Sequence, residues 1–208
     1  MTRIMRALGL AAACVGILTT TACQVPVPAS PSSSQGSTVI TSEFSTLDAA
    51  GVDRIRTDKR AKLDMSDGTL QKSAVRVTDD SYGPEINTQD SGKIELTIVG
   101  PSGEIHAQTD RIRFKTTDAR PDFTEVTYLL TADSAEDFAA LIRDGVEKYG
   151  IDADDAERWI SSTSKDSSAK SDYSLTSGTS TGLEVNYDLR FDGSKETQVI
   201  IVHVTPVS

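Results

Sequence analysis

Cysteine and histidine are scarce in this chain of 208 residues, with two of each: Cys14, Cys23, His106 and His203. A structural zinc site takes four close ligands, mostly Cys or His. Both cysteines lie far along the chain from either histidine, so the sequence carries no zinc signature and predicts no metal or other cofactor. Each histidine lies in a predicted strand, where we expect a packed or surface imidazole rather than a catalytic base.

Aromatic side chains and positive charge are also in short supply. Aromatic residues make up 5% of the chain, and its formal net charge is −10. Nucleic-acid binding relies on Lys and Arg to neutralise phosphates, and single strands are held by stacked aromatic rings. The composition therefore predicts a protein that does not bind nucleic acid.

No apolar run is long enough to cross a bilayer, which takes about 20 helical residues. The longest run covers residues 7–18, follows Arg3 and Arg6, and is followed by small residues. A positive start, a short apolar core and small residues are typical of a secretory signal peptide. Any membrane attachment is therefore expected through the N-terminus.

The residues that follow this run are Thr20, Thr21, Ala22 and Cys23. They resemble the lipobox of bacterial lipoproteins, in which one aliphatic and two small residues precede a cysteine; Thr20 stands where that family usually has Leu, Val or Ile. The resemblance implies that the Cys23 thiol receives a diacylglycerol and that the peptide is cut before it. It implies an exported lipoprotein on the cell membrane, carrying palmitate-type chains and facing the periplasm or the exterior. The alternative is a plain signal peptide cut near Ala22.

Three segments follow from this interpretation. Residues 1–22 are the signal peptide, residues 23–40 are the lipidated cysteine and a Pro/Ser-rich tether, and residues 41–208 are a single globular domain. Cys14 leaves with the signal peptide, so no intramolecular disulfide is possible in the mature protein. A flexible tether of this length would hold the domain roughly 20–25 Å from its anchor.

The hydrophobic pattern of the domain predicts an α+β fold with a mainly antiparallel β-sheet and a helical pair packed on one face. The strongest strand is residues 183–191, which alternate apolar and polar side chains, and its partner covers 198–205. The clearest helix starts after Asp133 or Ser134 and ends at Gly150.

Other elements are predicted from weaker patterns. Asp152 caps a second helix. Residues 42–63 are partly helical, with Ser42 or Ser45 as the cap. Residues 104–115 form one strand whose apolar parity switches, which suggests a β-bulge or a bend. The remaining predictions are a short strand at 72–78 and loops at 79–92 and 161–171.

Three motifs have a chemical and a simpler interpretation. Ser162 to Lys165 and Ser167 to Lys170 match the Ser-x-x-Lys spacing of penicillin-recognising enzymes, but the chain lacks their Lys-Thr-Gly strand and the serines lie in a Ser-rich segment. The acidic group before the second helix lacks the glycine and the glutamate of an EF-hand loop, so we expect helix capping; it consists of Asp152, Asp154 and Asp155. The third motif is a basic cluster, for which a solvated face is expected over contact with headgroups or wall polymers. It comprises Arg54, Arg56, Lys59, Arg60 and Lys62.

The leading functional hypothesis is a non-catalytic, lipid-anchored envelope module of undetermined activity. Its domain would bind a partner protein, a wall polymer or a small hydrophobic ligand on a sheet face or in the groove between sheet and helices. The alternative is a secreted or envelope-anchored hydrolase whose site is assembled on the C-terminal hairpin from Glu184, Asp188 and His203. A structural role in an envelope complex is a third possibility.

The anchor is tested by the intact mass of the protein purified from the membrane and soluble fractions of its host. We expect a membrane-bound species that begins at Cys23 and is heavier by at least a diacylglyceryl unit. The Cys23→Ser variant is the control and should lose both the added mass and the membrane location. An unmodified wild-type protein free in the medium would contradict the lipoprotein prediction.

Overall fold

The computed structural model describes residues 43–78, 81–164 and 168–208. The predicted signal peptide, the lipid site Cys23 and the tether fall outside the described residues. Thr41–Ser208 forms one compact unit. None of the helices within the described ranges is long and apolar enough to cross a membrane.

Within the described ranges, one helix and eight strands are followed by a pair of helices and then by three strands. The helices are α1 (Ala49–Asp58), α2 (Ala135–Tyr149) and α3 (Ala153–Thr163). The strands are β1 (Arg60–Asp64), β2 (Leu70–Gln71), β3 (Ile86–Asn87), β4 (Ile94–Val99), β5 (Glu104–Thr109), β6 (Arg111–Lys115), β7 (Asp122–Phe123), β8 (Glu125–Ala132), β9 (Lys170–Ser174), β10 (Leu183–Asp192) and β11 (Gln198–Pro206).

The strands form two main sheets and one short pair. The larger sheet has the order β3-β6-β8-β11-β10-β9, and all its pairings are antiparallel. The smaller sheet has the order β1-β4-β5, with β1 parallel to β4 and β4 antiparallel to β5. β2 pairs with β7. The predicted α+β class, with a mainly antiparallel sheet and a helical pair, is confirmed.

The C-terminal hairpin forms the middle of the larger sheet. In β10 the apolar side chains from Leu183 to Phe191 are buried at every second position, because a strand directs successive side chains to opposite faces. β11 lies between β8 and β10, so both of its edges are paired with neighbouring strands.

Helices α2 and α3 cover the inner face of this sheet through three aromatic rings. Phe138, Trp159 and Phe191 lie with their ring centroids 5.6–5.7 Å apart. Ser134 caps α2, and Gly150 ends it in the left-handed conformation (φ 75°), which glycine adopts without strain. Both helix boundaries are as predicted.

The predicted single strand at residues 104–115 is wrong. The chain forms β5 and β6 instead, and these belong to different sheets that meet around Asp110. The change of sheet is the physical reason for the parity switch, since the buried side of the strand changes when the chain leaves one sheet for the other. The expected bend is present, but the continuous strand is not.

The N-terminal predictions are partly wrong. Helix α1 begins after Asp48, whose carboxylate accepts a hydrogen bond from the Gly51 N–H at 2.9 Å. Ser45 is not the cap, because its hydroxyl accepts the Lys62 N–H at 2.9 Å instead, and Ser42 lies outside the described residues. Lys59 ends the helix in the left-handed conformation (φ 55°), and the chain continues as β1.

The predicted strand at residues 72–78 is a turn. The Val75 carbonyl accepts a hydrogen bond from the Leu47 N–H at 2.7 Å, and Val77 N–H donates to the Lys72 carbonyl at 2.9 Å, so these groups are not available to a ladder. The predicted loops at 79–92 and 161–171 are shorter than expected, since the first contains β3 and the second overlaps α3 and β9.

A buried carboxylate joins α3 to the chain after β9. Asp155 is 4% exposed. It accepts hydrogen bonds from the Tyr173 hydroxyl at 2.6 Å, the Thr176 N–H at 2.9 Å and the Arg158 guanidinium at 2.9 Å. The Tyr173 hydrogen bond is the main cause that lowers the pKa of Asp155 to about 2, and it outweighs the effect of burial.

We predict that Asp155→Asn lowers the free energy of unfolding by about 1–3 kcal/mol, because an amide nitrogen replaces one of the accepting oxygens. The exposed neighbour Asp154→Asn is the matched control and should change it by about 0.5 kcal/mol or less. Urea unfolding at pH 7 measures both.

The same carboxylate predicts a pH dependence. Its folded pKa of about 2 lies below the ordinary aspartate pKa of 3.8, so its stabilisation is complete above about pH 4 and is lost as the pH falls towards 2. The wild type should lose about 2 kcal/mol more than Asp155→Asn over this interval. Parallel pH profiles of the two proteins would contradict the assignment.

Candidate functional site

A cleft of about 450 Å³ opens where the two sheets separate. Thr109, at the end of β5, accepts a hydrogen bond from the Leu129 N–H of β8 at 3.2 Å. From that point β5 and β8 diverge, and the second half of α2 closes the space between them. The lining residues are Lys93, Glu95, Leu96, His106, Ala107, Gln108, Tyr128, Leu130, Thr131, Leu141, Asp144, Lys148, Tyr149 and Tyr187.

Three tyrosines form the floor of the cleft. Tyr128 and Tyr187 both lie opposite Val202 of β11, so they flank it in one row across the inner face of the larger sheet. Tyr149 is the last residue of α2, and its ring centroid lies 6.5 Å from that of Tyr187. Its hydroxyl donates to the His106 carbonyl at 3.0 Å, which joins α2 to the free edge of β5.

A glycine on α2 makes room for this floor. A Cβ atom at Gly145 would lie 2.7 Å from Cε2 and 2.8 Å from Cζ of the Tyr187 ring. Two carbon atoms repel each other at such distances. The helix and the Tyr187 ring therefore approach this closely only because residue 145 has no side chain. Gly145 lies on the buried side of α2, and the reason for a glycine there is this ring.

Tyr128 carries a buried polar atom without a partner. The residue is 1% exposed, and its hydroxyl has no hydrogen-bond partner among the described residues. Burying a hydroxyl in this way costs about 1–3 kcal/mol. Burial raises the pKa of Tyr128 and the pKa of Tyr187 well above the ordinary tyrosine value. Both phenols are therefore neutral at physiological pH, and they offer hydrogen bonds rather than a negative charge.

The rim of the cleft carries charges of both signs, and most of them are paired. Asp144 binds Lys148 at 2.8 Å, and this hydrogen bond raises the pKa of Lys148. Glu95 binds Arg60 at 3.1 Å, across the strand pair β1–β4. The ammonium of Lys93 donates to the Thr131 hydroxyl at 2.9 Å.

The two histidines lie at different places. His106 is exposed at the rim, where its Nε2 lies 3.1 Å from Glu104 and its Nδ1 lies 3.3 Å from the Thr97 hydroxyl. His203 lies on the outer face of the larger sheet, and its Nδ1 lies 2.7 Å from Glu125. Burial favours the neutral carboxyl of Glu125, but the His203 and Thr127 hydrogen bonds outweigh it and lower the pKa of Glu125.

The carboxylates proposed for a hydrolase do not meet His203. The residue opposite His203 is Asn186, while Glu184 and Asp188 lie opposite Thr205 and Ile201. Asp188 accepts a hydrogen bond from Arg190 at 2.6 Å. The C-terminal hairpin therefore does not assemble the expected carboxylate–histidine group.

The other sequence motifs occupy structural positions. Asp152 caps α3 and Asp155 is the buried acceptor described above, while Asp154 is exposed. Ser162 donates to the Trp159 carbonyl at 2.8 Å. Lys165 and Ser167 lie outside the described residues. Within the described ranges, no group of three or more His, Cys, Asp or Glu side chains is placed to hold a metal ion.

The basic cluster is largely paired with acids. Arg60 binds Glu95, Lys62 binds Glu43 and lies over the Phe44 ring, and Arg56 lies 3.9 Å from Asp53. Arg54 is exposed, and Lys59 donates to the Ser91 hydroxyl at 2.9 Å. Lys62 lies in β1, whereas Arg54 and Arg56 lie on α1. These contacts favour the interpretation as a solvated face.

Comparison of the chain with models of protein families, with curated proteins and with solved structures found no match in any of the three.

We predict opposite effects for two tyrosine variants that each remove one oxygen atom from the cleft. Tyr128→Phe removes an unpartnered hydroxyl and should leave the free energy of unfolding unchanged or raise it by about 1 kcal/mol. Tyr149→Phe removes the bond to the His106 carbonyl and should lower it by about 1 kcal/mol. Urea unfolding measures both, and equal losses would mean that the Tyr128 hydroxyl has a partner.

Proposed function

We propose that this protein is an envelope lipoprotein anchored through Cys23, and that its folded domain is a non-catalytic module that binds a small ligand in the tyrosine-lined cleft. The observation that carries the proposal is Tyr128, which lines the cleft and whose buried hydroxyl has no partner within the described part of the chain. A ligand with a polar atom at its inner end would give that hydroxyl a partner.

The size and lining of the cleft support ligand binding. Its volume of about 450 Å³ falls within the range of roughly 300–1,000 Å³ that small-molecule sites occupy. Apolar groups of the lining, including Leu96, Ala107 and Leu141, are combined with a few polar ones, as in such sites. The floor hydroxyls stay protonated, and most rim charges are paired with one another, which suits recognition better than proton transfer.

The binding role is tested with benzamide, whose ring fits an apolar floor and whose amide can meet the Tyr128 hydroxyl. The full chain carrying Cys23→Ser, which lacks the proposed anchor, is titrated and followed by backbone amide NMR. We expect saturable shifts at Ala107 and Leu141. Ala107→Trp should fill the cleft and remove them, whereas the exposed control Ala119→Trp should not.

Leu141→Trp, on the opposite wall, serves as a second blocking variant in case Ala107→Trp does not fold. Shifts that stay linear, or that survive both blocking variants, would mean that benzamide does not occupy the cleft. In that case a partner protein or a wall polymer on another surface becomes the better hypothesis.

A further inference from the structure

One wall of the cleft is the free edge of a strand. In an antiparallel pair, the backbone groups of successive residues point alternately towards the partner and away from it. The His106 carbonyl is bound by Tyr149 and therefore points away from β4. Since Glu104 and Gln108 lie two residues on either side, their N–H and C=O groups also point outward along this edge.

The opposite wall is β8, whose last residues pair with β11 on one side but, among the described residues, with no strand on the other. The ladder between β6 and β8 ends at Tyr128, whereas the ladder between β11 and β8 continues to Ala132. The Leu129 N–H points to the β6 side, because it donates to the Thr109 hydroxyl. By the same alternation, the N–H and C=O of Thr131 point to that side, where no strand of the described ranges pairs with them.

The cleft is therefore a notch between two strands that both present backbone donors and acceptors. Groups of this kind are satisfied by an extended peptide, which carries the complementary pattern at the same spacing. Tyr149 limits the length of such a peptide, because its hydroxyl already occupies the edge at His106. The remaining stretch of β5 inside the cleft is centred on Gln108.

A positive charge lies at the mouth of this notch. Lys93 precedes β4, and its ammonium reaches Thr131 on β8. Asp144, Lys148 and Glu95 are paired as described above. Among the described residues, no carboxylate lies within 4 Å of the Lys93 ammonium. An anionic group on a ligand would therefore form an ion pair with the Lys93 ammonium.

We propose that the ligand of the cleft is a short extended peptide with a free C-terminal carboxylate. This inference rests on the binding function proposed above and names its ligand class. The peptide amides form hydrogen bonds with the backbone groups of Gln108 and Thr131. The carboxylate pairs with Lys93, and an apolar side chain packs on the tyrosine floor.

The carboxylate is tested by calorimetry on the full chain carrying Cys23→Ser. The probes are acetyl-Ala-Ala-Xaa peptides with Xaa as Leu, Phe or Tyr, each as the free acid and as the C-terminal amide. We expect a free acid to bind about tenfold more tightly than its amide, since a hydrogen bond to a charged group contributes about 1.5 kcal/mol or more. Lys93→Met should remove the difference, and Lys195→Met, an exposed lysine in the β10–β11 turn, should keep it.

The backbone pairing is tested by proline, which removes an N–H and is tolerated in an edge strand where that N–H points away from the ladder. Gln108→Pro should abolish binding of the free acid. Glu104→Pro is the matched control on the same edge but outside the cleft, and it should bind normally. Unfolding midpoints of both variants show whether the sheet is intact. If Gln108→Pro does not fold, a comparison of Lys93→Gln, which removes the positive charge, with Lys93→Arg, which keeps it, gives an independent readout at the mouth.

The outcomes separate the two proposals. If benzamide binds in the cleft but none of the peptides does, or if acid and amide bind equally, the peptide inference is overturned while the binding function stands. If benzamide produces no shifts that the blocking variants remove, and calorimetry detects no binding of the peptides, both are overturned. Tighter binding of the acid that depends on Lys93 supports both.

Discussion

The junction between the two sheets depends on a buried threonine. Thr109 is 0% exposed, and its hydroxyl accepts the Leu129 N–H while also bonding to the backbone of Arg111. A side chain thus takes the place of a strand partner at the position where the chain leaves one sheet and enters the other. The ladder cannot continue beyond this point, so β5 and β8 separate, and α2 closes a space that neither sheet fills.

The floor of that space combines features that do not favour stability. Tyr128 buries a phenol that has no partner among the described residues, and the second half of α2 contains a glycine, which costs about 1 kcal/mol relative to alanine. Both features belong to one arrangement of side chains. The absence of a side chain at Gly145 makes room for the ring of Tyr187, and Tyr187 lies in one row with Tyr128. Such local departures from optimal packing concentrate at functional sites in natural proteins, which is why we place the function here.

The sequence predicts those parts of the fold that local chemistry determines. The alternation in β10, the Ser134 cap and Gly150 at the end of α2 each depend on neighbouring residues, and each was correctly inferred. The two-residue strands β2 and β3 have no periodic signal, because a partner distant in sequence defines them. The parity switch before Ile112 was visible, but a bulge and a change of sheet leave the same pattern in a single sequence.

The sequence alone does not predict the cleft, for a related reason. Tyr187 belongs to the alternating strand that the sequence predicts, yet nothing local indicates that it meets Tyr149, or that Tyr128 joins them with no hydroxyl partner among the described residues. Asp155 shows the same limit, since it resembles an ordinary acid in the first turn of a helix. Its hydrogen bonds to Tyr173 and Thr176 come from a segment that folds back across the helix.

The entry of the chain into the fold has a mechanical consequence. Residues 43–47 run beside β1, where the Ser45 N–H donates to the Lys62 carbonyl at 2.7 Å and Glu43 pairs with Lys62. Tension that reaches the fold from its N-terminal side is therefore resisted first at this edge of the smaller sheet. The cleft borders β5, at the opposite edge, with β4 between them. A pull along the chain is thus applied at β1 and reaches the β5 side of the cleft only through β4.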